Sequence, residues 1–595
     1  MELKRAVWCC LGGLLSLSVS SNAAAAFFSK KKENQQEAES PIKVNVQGAS
    51  DELAENIKAY LPSMRGLSCN SSADRMQRFV DASQGKMVKG VEAMGYFSAK
   101  LDMQPAQQSG CWVLNVQVDS GLPVLVKESN IKLTGEGSKL PLFSKLVAEN
   151  PYEPNEVLVS QKYEDLKTNL SRTASRLGFF DANFVQREIR VDPDTREAVI
   201  NLHFETGQRY QVGEVKVTQD ILDEENLAHY LRVHQGEPYD SDVLLTQQRL
   251  LENSGYYSDV RINTNYRDAK GNQVPLEINA IRNKRYSYTA TFGYATGSGA
   301  RLEGTMETRW LNSKGHKLDT GFRFSQNDKN VRATYKVPLW KPEHEYASVS
   351  GGWATSDNKD IQSDKFNLEL SYNRRNKANW QQTAYVNLLN ERTKVEGEPA
   401  ISSLLTLFGA RVSKTESNDS LFPTQGWRAQ AEIKGSHDAL LSDLTILQGT
   451  ANLRYLTTFD NGSKVIAQGG IGASKVDDIT NVPKSLRFFA GGQNSVRGYD
   501  FETIGTTDDK GLVVGGRNTL TTSLEYEYPV AEKISVAAFV DAGDAFDSWG
   551  NVNMKVGAGV GARYKSPIGP IRVDFAVPKD DTSDVHFYFS LGPDL

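Results

Sequence analysis

The sequence predicts three small α+β domains in tandem, each of order β-α-α-β-β, followed by a transmembrane antiparallel β-barrel of about 16 strands. Three observations predict this: a leader-like N-terminus, a motif that recurs three times in the first half, and a switch to strict two-residue alternation near residue 284. At 595 residues the chain is several times longer than one domain of ~150 residues. Its 68 Lys+Arg nearly balance 73 Asp+Glu, and a net charge of −5 excludes a nucleic-acid binder that works through bulk charge. No internal run reaches the ~18 apolar residues of a spanning helix, so the chain is not a polytopic helical membrane protein. The negative mean hydropathy still admits a barrel, in which only alternate residues of a strand face lipid.

At the N-terminus, Lys4 and Arg5 precede an apolar stretch from Ala6 to Val19 and the small-residue run Asn22-Ala23-Ala24-Ala25-Ala26. That order matches a secretory signal peptide with an Ala-x-Ala cleavage site, and residues 1–26 are set aside as such. The alternative is a membrane anchor, for which ~14 residues is short. Residues 27–41, with Lys30-Lys31-Lys32 and a Glu/Gln-rich run, read as a solvated linker. Outside the leader the cysteines are Cys69 and Cys111. An exported chain meets an oxidising compartment, and a structural disulfide between them is expected, two inert buried thiols being the alternative.

The repeated motif is Gly95-Tyr96-Phe97, Gly178-Phe179-Phe180 and Gly255-Tyr256-Tyr257, at spacings of 83 and 77 residues. Each copy ends an amphipathic run, as in Tyr163 to Leu177 or Val243 to Leu251, where a glycine commonly terminates a helix. Each is followed by alternating strands that end in Trp112–Val116, Val199–Phe204 or Val274–Ile278. Each helical pair is preceded by a strand: Ile42–Val46, Ser129–Leu133 and Val212–Val217. This pattern resembles the polypeptide-transport-associated (POTRA) domains of outer-membrane assembly proteins. The expected divisions are 42–120, 121–206 and 207–283, with a barrel over 284–595.

In the second half, Trp427–Lys434 places Trp, Ala, Ala and Ile on one face and Arg, Gln, Glu and Lys on the other. Leu520–Tyr528, Ile571–Val577 and Val585–Leu591 alternate in the same way. A soluble sandwich also alternates, but these strands are long, carry aromatic residues at their ends and follow an exported, repeat-bearing segment. The 312 residues of 284–595, at roughly 20 per strand and turn, give about 16 strands.

Three motifs narrow the reading. Gly491-Gly492-Gln493-Asn494-Ser495-Val496-Arg497-Gly498-Tyr499 lies between two strand patterns, and Phe539-Val540-Asp541-Ala542-Gly543 lies in a following strand. They resemble the V-R-G-F/Y and F-x-D-x-G motifs of the superfamily that includes BamA, TamA and the two-partner secretion transporters. That resemblance implies that Val496, Arg497, Gly498 and Tyr499 form the tip of a loop folded into the lumen, locked by Asp541. Independently, a guanidinium in a narrow lumen needs a carboxylate, and its planar fork suits one bidentately. Glu525 and Glu527 share a strand face and are available to join. Leu421-Phe422-Pro423-Thr424-Gln425-Gly426-Trp427 resembles a periplasmic turn of the same superfamily, with Trp427 as an interface anchor.

The chain ends Phe589-Ser590-Leu591-Gly592-Pro593-Asp594-Leu595. Pro593 donates no ladder hydrogen bond and Gly592 weakens a strand. The last strand is therefore expected to pair incompletely with the first, near Tyr286 and Tyr288, leaving an open edge that can template an incoming strand. Three repeats before a barrel resemble the TamA branch of the superfamily. That likeness implies insertion or secretion of autotransporter-type clients, a TamB-like inner-membrane partner on the first repeat, and contact with outer-membrane lipid. The alternatives are a phospholipid conduit or a two-partner-type secretion pore. No enzyme, cofactor, metal or nucleic-acid role is expected. Gly557-Ala558-Gly559-Val560-Gly561-Ala562 matches a dinucleotide fingerprint only formally, since no helix follows it. His229 and His234 are expected on a helix surface.

Overall fold

The computed structural model describes residues 42–591 except Arg65, Asn150, 296–298, Asn327, 358–360 and Ile568. The leader and linker expected over 1–41, and the seam residues Gly592 and Pro593, lie outside the described residues.

The first repeat contains β1 (Lys43–Gln47), α1 (Asp51–Ala59), α2 (Ala73–Glu92), β2 (Lys100–Gln108) and β3 (Cys111–Asp119). Its sheet order is β1-β3-β2, with β1 parallel and β2 antiparallel to the central β3. Ser50 and Ser72 cap the two helices by accepting from Leu53 N and Arg75 N. The helices bury Leu53, Ile57, Met76, Phe79 and Met87 against Trp112, Leu114 and Val116 of β3. Cys69 and Cys111 are disulfide-bonded, which ties the α1–α2 connection to the start of the central strand.

The second repeat follows the same order: β4 (Leu125–Thr134), α3 (Pro141–Ala148), α4 (Ser160–Arg176), β5 (Asn183–Asp192) and β6 (Glu197–Glu205). The third has β7 (Gln211–Thr218), α5 (Glu224–Ala228), α6 (Ser241–Asn253), β8 (Tyr257–Thr264) and β9 (Gln273–Arg282). Their sheets run β4-β6-β5 and β7-β9-β8. In each copy the motif glycine follows the long helix at positive φ, +91° at Gly95, +82° at Gly178 and +78° at Gly255. A side chain there would strain the helix exit, which explains why glycine recurs. The first two repeats with Pro238–Asp240 form one compact unit, and the rest of the third repeat forms another with the barrel. His229 follows the last residue of the short α5 and His234 lies on the irregular connection beside Glu237, so neither occupies the helix surface expected for it.

From Tyr286 to Leu591 the chain forms one 16-stranded sheet in which every strand pairs with its sequence neighbour. It starts with Tyr286–Ala295 and ends with His586–Leu591. The burial pattern is the reverse of a soluble protein's. In the twelfth strand (Asn518–Ala531) Leu524, Tyr526 and Tyr528 are exposed, Leu524 by 58%, while Glu525 and Glu527 are each 7% exposed. The sixth (Ile361–Arg375) likewise shows Phe366, Leu368, Leu370 and Tyr372 on the outside. Apolar side chains out and carboxylates in is the arrangement of a barrel in lipid, because the lumen is the only polar phase its middle can reach. Strands alternate in direction, so each even-to-odd turn lies at the end that faces the third repeat.

Candidate functional site

The eleventh strand (Lys464–Val476) and the twelfth are joined by residues 477–517, which leave the far end of the barrel and fold back inside it. At the tip, Val496 is fully buried in a small cluster with Ala490 and Ile504. Arg497 meets the thirteenth strand (Ile534–Phe546) at Asp541. Its Nε and Nη2 donate to Asp541 Oδ2 and Oδ1 at 2.7 and 3.1 Å, and its backbone N donates to Oδ2 at 3.1 Å. Nη1 reaches Glu525 at 2.8 Å and Asp574 of the fifteenth strand (Gly569–Pro578) at 3.1 Å. The guanidinium carbon lies 3.4 Å from the centroid of the Phe539 ring.

A second guanidinium completes the network. Arg563 of the fourteenth strand (Lys555–Ser566) donates to Glu525 at 2.6 Å, Asp574 at 2.5 Å and Glu527 at 3.3 Å. Of the two glutamates that share this strand face, Glu525 joins Arg497, whereas Glu527 pairs with Arg563, with Lys464 at 3.8 Å. Ser523 donates to Asp541 at 2.6 Å. Removing these charges from bulk water is costly, and shared carboxylates offset that cost only while every member stays paired.

The rest of the motif is set by close approach. Gly498 has φ +97°, and a Cβ there would press on the Val577 and Pro578 backbone. A Cβ at Gly557 would overlap the Arg497 carbonyl oxygen. Gly557 thus leaves room for the loop, while Gly559 and Gly561 lie against Phe539, Phe575 and the Arg563–Asp574 pair. Tyr588 of the last strand accepts from Gly498 N at 2.9 Å and donates to Tyr499 O at 2.9 Å.

A second anchor braces the loop across the lumen. Ser485 donates through its backbone N (3.0 Å) and its hydroxyl to Glu391 of the seventh strand (Gln381–Val395), which also accepts from Ser363 at 2.7 Å. Glu391 is fully buried. Asp574, Arg563, Tyr588 and Glu391 were not singled out in the sequence. Their signal was alternation: each occupies the face opposite the exposed apolar residues of its strand.

At the seam the first strand pairs with the second (Gly299–Thr308) over ten positions, whereas the sixteenth pairs with the fifteenth over six, from Ile571↔Leu591 to Ala576↔His586. The first and sixteenth strands approach within 8 Å of each other, but no registered ladder joins them among the described residues. Tyr286 and Tyr288 project outward, Tyr288 with 71% exposure, and Leu591 is also exposed while Phe589 is half-buried.

The third repeat packs on the near end of the barrel. Tyr256 donates to Gly315 O at 2.5 Å, Lys317 to Ser254 O at 2.6 Å and Arg232 to Glu343 at 2.5 Å. Burial pushes the Tyr256 hydroxyl up to about 12, so it remains a donor at neutral pH. A chamber of about 710 Å³ lies between them, lined by Tyr230, Asn253, Lys336, Arg375 and Gln381 among others.

The Omp85 superfamily domain profile matches residues 254–594. The chain belongs to the Omp85 superfamily. In this Omp85 protein the first repeat also matches the profile for POTRA domain TamA domain 1, over residues 43–120. The third matches the POTRA profile described as surface antigen variable number repeat, over 210–280. The outer membrane protein assembly factor BamA of Neisseria meningitidis serogroup B is 22% identical over 580 residues, covering 84% of this chain and 70% of the relative. BamA of Nitratidesulfovibrio vulgaris is 20% identical over 432 residues, covering 69% of this chain and 54% of the relative, so this Omp85 chain spans about half that protein. Among solved structures, BamA from Haemophilus ducreyi lacking POTRA domains 1–3 shares the fold, with a TM-score of 0.67 at 16% identity over 79% of this chain and 99% of that one.

Proposed function

We propose that this protein is an outer-membrane assembly and translocation factor of the TamA type. It inserts or secretes autotransporter-type β-barrel clients through the seam between its first and sixteenth strands. The observation that carries the reading is the asymmetry of that seam. The first strand offers outward aromatic residues and an edge with no ladder among the described residues, beside a last strand paired on one side over six positions. An unpaired edge is a template for strand addition. The lumen is crossed by the Arg497 loop, which argues against a permanently open secretion pore.

In this reading the leader exports the chain and the divisions at 120/121, 206/207 and 283/284 separate three periplasmic domains from the barrel. The first repeat receives a TamB-like inner-membrane partner, a role supported by its match to the TamA-type first domain. No nucleotide-driven step is invoked; client strands would gain backbone hydrogen bonds as they add.

In-cell photo-crosslinking from a probe at Tyr288 tests this. Protein-sized adducts that disappear as client barrels mature are expected. Adducts to lipid alone, or to the inner-membrane partner alone, would replace the insertase by a phospholipid conduit.

A further inference from the structure

Two apolar grooves mark the outer wall of the barrel. One, of about 650 Å³, crosses the eighth to twelfth strands between Val412, Ala429, Ala451, Leu453 and Ile471, and is bordered by Trp380. Its floor is formed by the small outward side chains Ala429, Ala431 and Ala451, beside Val412, Leu453 and Ile471 on the neighbouring strands. Trp380 precedes the seventh strand, so it sits at the end of the barrel nearest the third repeat.

That border is chemically unlike the rest of the wall. Lys414 continues the outward row Phe408, Ala410, Val412 of the eighth strand (Ile401–Ser417). Its Nζ lies 6.0 and 5.4 Å from the ring centroids of Trp380 and Trp427, whose rings are themselves 6.0 Å apart. The Lys414 side chain keeps 13% of its exposure. Glu416, next in the same row, pairs with Lys414 at 2.6 Å, accepts from Trp427 Nε1 at 3.0 Å and remains 54% exposed. A charge facing lipid is costly unless it lies at headgroup depth, which is also where indoles settle.

The wall thus presents an apolar groove that ends in one cation, one anion and two indole faces. An acyl chain fits the groove. A headgroup phosphate complements Lys414, and an ammonium complements Glu416 and the indole faces. An anionic headgroup without an ammonium leaves Glu416 facing like charge. We propose that Lys414, Glu416, Trp380, Trp427 and the adjoining groove form a binding site for a zwitterionic phospholipid of the phosphoethanolamine class. The second groove, about 770 Å³ beside the first strand, has no such end. Among the described residues its charged lining is Arg332, on the inward row of its strand.

The site rests on the wall facing a bilayer and not on the seam's activity, so lipid binding and client assembly fail independently. The test is native mass spectrometry of the full chain in detergent, titrated with phosphatidylethanolamine or phosphatidylglycerol, with folding checked by heat-dependent gel mobility. The folded protein retains one phosphatidylethanolamine with a preference of about tenfold over phosphatidylglycerol, a difference of ~1.4 kcal/mol. Glu416→Gln removes the preference, Ala451→Trp fills the groove and lowers retention of both lipids, and Ala333→Trp in the second groove changes neither. Equal retention of the two lipids by the unaltered protein, or a preference that survives Glu416→Gln, overturns the proposal; the latter reading needs only a surface substitution.

Discussion

Along the twelfth and thirteenth strands the backbone pairs from Asn518↔Phe546 to Ala531↔Ile534, and the inward face carries Glu525, Glu527 and Asp541. At the seam, a six-residue last strand lies near a first strand whose inward positions carry Ser287, Thr289 and Thr291, with no ladder between them among the described residues. One wall is welded by full ladders and a buried charge network. The other sets a six-residue last strand beside a ten-residue first strand whose inward side chains are uncharged. The difference teaches that the wall of this barrel is not uniformly paired: the network that locks the lumen loop spans the twelfth to fifteenth strands, and the edge without a ladder among the described residues lies just beyond it. Tyr588 is the bridge between them, because it belongs to the last strand and holds Gly498 and Tyr499.

The comparison can be broken from its strong side first. Asp541→Ala leaves the chain exported and its barrel folded but deprives Arg497 of its bidentate partner, at a cost of about 3 kcal/mol for a buried ion pair stripped on one side. Trypsin is expected to cut the loop at Arg497 in the variant and not in the parent, and an equally resistant loop would count against the lock. Tyr588→Phe removes two hydrogen bonds between loop and last strand, worth about 1–3 kcal/mol together. Faster amide exchange across 586–591 with little change in the twelfth strand is the expected pattern; equal acceleration in both would mean that wall and seam are one cooperative unit. Ser485→Ala trims the opposite brace by about 1 kcal/mol. It should raise the frequency of brief conductance events in planar bilayers without changing their size, and a silent variant would show that the Arg497 network alone holds the loop.

Much of this was legible in the sequence for physical reasons that can be named. The recurring Gly-aromatic-aromatic marks a helix exit at positive φ followed by core rings, and both are local demands. Val496 to Tyr499 and Asp541 stood out because they resemble motifs of the superfamily, and the need of a lumen arginine for a carboxylate partner supported the pairing independently. Asp574, Arg563 and Glu391 did not stand out. Alternation tells which residues face inward, but which of them share a level depends on strand tilt and register, set by the closed sheet as a whole. The misplacement of His229 and His234 has a smaller cause. The helix α5 is only five residues long, and a spacing of five cannot reveal that it has already ended.

The central claim is that the seam acts by opening. Cysteine pairs scanned between residues 286–292 and 586–591 and then oxidised would lock it covalently, with reduction as the internal control. The account predicts that autotransporter-type clients stall in the periplasm when the lock is oxidised and resume maturation when it is reduced, while Arg497 stays paired throughout. Undiminished client assembly by a fully oxidised seam would contradict it.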